Sequence, residues 1–407
     1  MDQRQQRIIL LVFIAYAVWQ TASQWTNTLL PILQWNTHPP MTVLEISYNQ
    51  AIGSFCNALG AFLLGEIIDS SGSKSVFVAS IVLTAFYYGC LSVSDSFVTF
   101  ALVQLFRIGF HFEVGAEMYL ATITHERERT VAMMSLCIPQ TVAYISGPLL
   151  ASKTATWFGV HWSQFCSAAF LILALLPLVL WVLPDTHDVP KLASARLQPV
   201  ECGLPLVRRN AALCEAISVR VLLVVPAICY ELVGRQFIMR RYFETPADTA
   251  LLMVVTGASM CVAQFSIMRH FRQRATTRRI LQVAMAVLTV CYGGILYART
   301  FAQMLTISAL QSATFALAYA ELTTQITSTV EPTDMGKATG IAGACSWIAY
   351  CLMPLVAGQL AVAWHYTYAI YFSVLVAAGT FVYVNVACPH LESRVNNILP
   401  LFGAASF

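Results

Sequence analysis

Twelve apolar runs, each close to the length a helix needs to cross a bilayer, follow one another along this chain. About 20 apolar residues span the hydrocarbon. The runs are centred near Ala17, Ala58, Leu83, His111, Ala143, Leu173, Ala227, Ala258, Thr289, Phe315, Ser346 and Val374. At that depth no water bonds to the backbone, so each run must close its own hydrogen bonds as a helix. The charge content agrees: 11% of residues are Asp, Glu, Lys or Arg, against about 25% in soluble domains. The expected fold class is all-α integral membrane, with 12 transmembrane helices in two six-helix pseudo-symmetric halves. A soluble enzyme is excluded, and a net charge of +3 is too small to argue for nucleic acid.

Six runs precede the longest polar segment and six follow it. The expected organisation is an N-terminal half (1–183), a cytoplasmic linker (184–214), and a C-terminal half (215–407) ending in a short cytoplasmic tail. Lys and Arg number 17 in the segments read as inner and 4 in those read as outer. That bias places both termini in the cytoplasm, with plasma and organelle membranes left open. The start, MDQRQQR, leads directly into the first run without a small-residue cleavage site, so it reads as a membrane helix and not a leader. Nine of the 12 cysteines fall inside apolar runs, where they serve as small hydrophobes. No metal-ligand spacing, cofactor motif or nucleophile–base pair is visible, so no cofactor and no enzyme activity are expected.

The halves repeat. Residues 142–151 (VAYISGPLLA) align without gaps on 348–357 (IAYCLMPLVA), pairing Tyr144 with Tyr350 and Pro148 with Pro354. Glu117 in GAEMY pairs with Glu321 in YAELT. The offset is 204 to 208 residues. A six-plus-six repeat is a known transporter architecture.

The fourth run carries the chemistry. Residues 104–119, QLFRIGFHFEVGAEMY, hold Arg107, His111, Glu113 and Glu117. Ionisable groups at bilayer depth cost on the order of 2.5–3.5 kcal/mol each on insertion scales, so they mark a cavity. On a regular helix turning about 100° per residue, Arg107, His111 and Gly115 form one stripe, with Glu113 and Glu117 on another about 120° away. Arg107, His111, Glu113, Glu117 and Glu321 are therefore the candidates for proton coupling or substrate charge. Gln24 on the first run, Tyr144 on the fifth, Glu231 and Arg235 on the seventh, and Trp347 and Tyr350 on the eleventh are expected to line the cavity. Gly147, Pro148 and Pro354 are candidate sites of close packing and bending.

After the second run the chain reads Gly65-x-x-x-Asp69-x-x-Gly72-x-Lys74. This resembles the loop signature of the major facilitator superfamily, with Ser70 standing where a basic residue is usual. Gly147-Pro148-Leu-Leu-Ala151-Ser152 resembles an element of the twelve-span drug/proton antiporter branch, which includes organic-cation-transporter-like proteins. The resemblance implies the major facilitator fold, with Gly65, Asp69, Gly72, Lys74 and Arg129 as a cytoplasmic gate. It also implies alternating-access transport of a small organic solute, cationic or amphipathic, by proton-coupled antiport. The expected partners are that solute, protons and the lipid bilayer, and the chain is expected to act as a monomer. An uncoupled facilitator and a transporter-like receptor or scaffold are the open alternatives.

Overall fold

The computed structural model describes residues 3–71, 73–123, 136–183, 210–242, 245–263, 275–330 and 335–392. Among them the elements are all helical: α1 (Gln3–Trp35), α2 (Val43–Ser71), α3 (Ser73–Ser92), α4 (Phe97–Val103), α5 (Phe112–Ile123), α6 (Cys137–Phe158), α7 (Val160–Phe170), α8 (Ala211–Tyr242), α9 (Pro246–Val262), α10 (Thr277–Tyr297), α11 (Phe301–Ser328), α12 (Met335–Ala363) and α13 (Tyr366–Val386). Thirteen helices make 12 spans, because α4 and α5 are two pieces of the fourth. The sixth span continues α7 through two π-helical turns, Leu171–Leu175 and Leu178–Val182. Eleven of the 12 expected centres fall inside helical turns, and the twelfth, His111, sits at the break in span four.

The duplication reaches the helix starts. Spans two, four, eight and ten each open on a reciprocal capping box. At α2, Thr42 N donates to Glu45 Oε2 (2.7 Å) and Glu45 N to Thr42 Oγ1 (3.3 Å). At α9, Thr245 N donates to Asp248 Oδ2 (3.0 Å) and Asp248 N to Thr245 Oγ1 (3.3 Å). Ser96 with Thr99 opens α4, and Thr300 with Gln303 opens α11. The caps stand 203 and 204 residues apart, within a few residues of the 204 to 208 of the repeat in the spans. Each is worth roughly 0.5–2 kcal/mol of helix stability.

The regular helix expected through residues 104–119 is not formed. After Val103 the backbone tightens into a 3-10 helix over Gln104–Gly109. Phe110 then leaves helical geometry (φ −80°, ψ 52°), and His111 N closes back on Gly109 O at 2.8 Å. A 3-10 helix eclipses side chains three apart, so Arg107 lies over Gln104, with Nη1 donating to Oε1 at 3.4 Å. The single stripe of Arg107, His111 and Gly115 is therefore replaced by two short helices meeting at His111. The cause is tertiary. Trp19 of α1 is packed by Phe110 and Phe112, with ring centroids 4.8 and 5.6 Å away, so both rings flanking His111 turn inward.

The chain gathers into two compact units. The first comprises Met1–Arg196, Leu232–Ala258 and Pro354–Trp364, and the second Leu197–Glu231, Ser259–Met353 and His365–Phe407. In the first unit the core runs through Tyr16, Phe77, Tyr88, Phe100, Phe112 and Tyr119, all fully buried. In the second, Val224, Ile228 and Ala349 form a core to which Phe315, Tyr319, Tyr350 and Met353 attach.

Candidate functional site

The break in span four sets the first unit's chemistry. His111 is buried, and its Nε2 donates to the Asn57 carbonyl of α2 at 2.8 Å. A Cβ on Gly60 would stand 2.8 Å from that same Nε2, so only glycine leaves room for the ring. His111 thus clamps α2 to the break. Arg107 runs along α2 past Gly53, and Gln104 bonds on to Tyr87 of α3. Among the described residues no carboxylate reaches Arg107.

Glu113 occupies the first turn of α5 and is exposed. The hydroxyl of Tyr16, itself fully buried, donates to its carboxylate. Gln20 Nε2 donates in turn to Tyr16 at 2.8 Å. The result is a relay of Gln20, Tyr16 and Glu113 joining spans one and four. A carboxylate at the first turn of a helix also meets the positive end of its dipole. Glu117 is on α5, but its side chain lies outside the described residues.

Around this relay span one is tied to its neighbours. Trp25 Nε1 donates to Ser163 (3.0 Å), and Thr21 bonds Ser146 (2.9 Å). Gln24 is buried, and spans one and five cross at its position. A Cβ on Gly147 would stand 2.7 Å from Gln24 Cβ, 2.7 Å from Thr21 O and 2.8 Å from Trp25 N. Gly147 is thus a contact point as well as the neighbour of Pro148, which lies within α6. Tyr144, one turn earlier, packs on Gly257 of α9. Lys74 Nζ donates to Leu180 O at 3.0 Å, capping the end of span six. Gly65 and Asp69 lie on α2 and Arg235 on α8, all with undescribed side chains. Gly72 and Arg129 fall outside the described residues.

In the second unit, Glu321 is buried at 2% exposure and accepts from Thr277 Oγ1 at 2.7 Å, between spans nine and ten. Glu231 is exposed on α8, and Pro354, inside α12, falls in the first unit. Trp347 and Tyr350 face each other at 5.8 Å. A surface hollow of about 330 Å³ is lined by Thr276, Arg278, Arg279 and Gln282 and includes none of the residues singled out from sequence. Arg278 is committed there to the Val384 and Asn385 carbonyls at the end of α13.

One charged residue was missed. The Lys and Arg tally counted Arg220 among the inner segments, yet it lies within the apolar stretch Ala211–Gly234 of α8. Its guanidinium carbon sits 4.5 Å from the Tyr319 ring centroid, and Nη2 donates to the Tyr319 hydroxyl. The repeat offset supplied a signal that could have found it, since 204 residues separate Tyr16 from Arg220.

The sequence profile of the Major Facilitator Superfamily matches residues 8–301 and 236–397. Similar solved structures include the nucleoside transporter NupG, at 14% identity and a TM-score of 0.74, covering 95% of this chain and 100% of that one. The human organic anion transporter MFSD10 (TETRAN) matches at 16% identity and a TM-score of 0.67, covering 94% and 100%. A bacterial homolog of the human lysosomal transporter Spinster matches at 12% and 0.66, covering 96% and 97%. No curated protein sequence matches the chain. The protein is a multi-pass membrane transporter of small molecules and not an enzyme. With the profile covering nearly its whole length, the chain belongs to the Major Facilitator Superfamily.

Proposed function

We propose that this transporter moves a small amphipathic organic solute by alternating access, coupled to protons in the antiport sense, with Glu113 as the acid that exchanges the proton. One observation carries the reading: an exposed carboxylate at membrane depth, reached by the hydroxyl of a buried tyrosine. When Glu113 is charged, the Tyr16 hydroxyl steadies the carboxylate. When a proton arrives, the carboxyl becomes neutral and its hold on Tyr16, and through it on span one, weakens. Proton occupancy is thereby coupled to the seating of span four on span one. Glu117 and Glu321 are kept as acids of the repeat, acting in support. Both termini are assigned to the cytoplasm on the Lys and Arg bias, and the protein is taken to act as a monomer.

Full-length protein in liposomes under an imposed pH gradient tests this, with uridine, benzoate and tetraethylammonium as neutral, anionic and cationic probes. Gradient-driven flux of any probe, lost in Glu113→Gln, is the expected outcome. Flux that ignores the gradient, or a Glu113→Gln protein that keeps its pH dependence, overturns the coupling.

A further inference from the structure

The second unit holds a cation inside a span, and among the described residues no acid neutralises it. Arg220 stands nine residues into α8, and among the described residues no carboxylate lies within ion-pair distance of it. Arginine within a span is costly and is kept where it faces a cavity or a partner. Its surroundings are aromatic. The guanidinium lies over Tyr319, whose ring stacks on Phe315 with centroids 5.9 Å apart and planes 24° from parallel. Arg220, Val224 and Ile228 are spaced four apart on one face of α8. That face meets Phe315 and Tyr319 of α11 and Tyr350 of α12 across the small apolar core. Trp347 extends the aromatic surface beyond Tyr350. All four rings are partly exposed.

We propose that this cluster is an anion-recognition site for a solute that carries a carboxylate or sulfonate on an aromatic body. Tyr319 engages Nη2 and the ring below fixes the plane of the fork. Nε is buried without a partner, and Nη1 makes no hydrogen bond among the described residues. A guanidinium so held presents its outer N–H groups in the geometry that a carboxylate accepts. Phe315, Tyr350 and Trp347 supply flat apolar surface for the remainder of the solute. A cation would be repelled, and a neutral solute would leave the arginine unpaired.

The proposal rests on the transport reading above and adds the charge of the solute to it. The two are read separately, the site by binding and the transport by flux. Intrinsic tryptophan fluorescence and thermal shift on the purified full chain report binding of benzoate and naphthalene-1-sulfonate, with benzyl alcohol as the uncharged control. Both anions are expected to bind and benzyl alcohol is not. Arg220→Gln should weaken anion binding roughly tenfold or more, and Arg220→Lys less, because it keeps the charge and loses the fork. Tyr319→Phe, which keeps the ring, should cost only a few-fold. If Arg220→Gln fails to fold, the comparison of benzoate with benzyl alcohol on the unaltered protein still decides. Failure of both anions to bind, or equal binding of benzyl alcohol, overturns the site even where uridine or tetraethylammonium is transported. Arg220-dependent anion binding with no flux of any probe would sustain the site and overturn the transport reading.

Discussion

Gly147 gives the sharpest test of how the first unit is held together. An added methyl at this position would stand 2.7 Å from the Thr21 carbonyl and 2.8 Å from the Trp25 amide. Both are backbone atoms of α1, so no rotamer change relieves the contact. The two helices must separate by about 0.7 Å to reach ordinary contact, and overpacking of this kind costs about 1–3 kcal/mol. Against it stands the helix propensity gained on replacing glycine with alanine, about 0.5–1 kcal/mol. The difference is a net loss of up to about 2.5 kcal/mol, or up to roughly 10 °C for a cooperative unit of 150–250 residues. Gly379 on α13 is the internal control, because nothing lies within 4 Å of its added Cβ. Gly379→Ala should leave the melting point unchanged or raise it slightly. Loss of the helical circular-dichroism signal follows the unfolding. A Gly147→Ala protein that melts at or above the wild type while Gly379→Ala behaves as stated would refute the close crossing of spans one and five.

Two further outcomes follow from the same geometry. Thr277→Val removes the hydroxyl that donates to buried Glu321, and it should cost about 1–3 kcal/mol. Thr277→Ser should restore most of that, and equal melting points for the two variants would dismiss the contact as incidental. Exchange of one proton for one monovalent anion carries two elementary charges the same way, so 100 mV should bias the cycle by about 4.6 kcal/mol. Benzoate flux into liposomes under a potassium–valinomycin potential should therefore rise steeply when the interior is positive, and flux indifferent to potential would replace antiport with electroneutral co-transport.

The membrane made most of this fold legible. Hydrocarbon thickness fixes run length, and the runs counted from it fall on helices, eight of which, among the described residues, are long and apolar enough to cross a membrane. The repeat was legible because packing residues such as Tyr144 and Tyr350 kept their register, and it extends to capping boxes at Thr42 and Thr245 and at Ser96 and Thr300. The break in span four was not legible. A wheel drawn at a constant angle assumes one helix, whereas Trp19, lodged between Phe110 and Phe112, together with the space at Gly60, selects two. Neighbours distant in sequence made that choice, and periodicity carries no trace of them.

Arg220 escaped for a different reason. Counting Lys and Arg by side treats every cation near the end of a run as a loop residue, so a charge that lies within the helix is absorbed into the topology argument and never weighed as chemistry. The repeat offers the correction. Spans one and four meet through Tyr16 and Glu113, and their counterparts, spans seven and ten, meet through Arg220 and Tyr319. In both halves a tyrosine hydroxyl bonds a charged group across equivalent spans. The sign is reversed: an acid on span four in the first half, a base on span seven in the second. Duplication that conserves a contact while inverting its charge supports the separate roles proposed above for Glu113 and Arg220. On that logic the first half is suited to the proton and the second to the anion, and variants of Glu113 and Arg220 should separate the pH dependence of transport from its preference for charge.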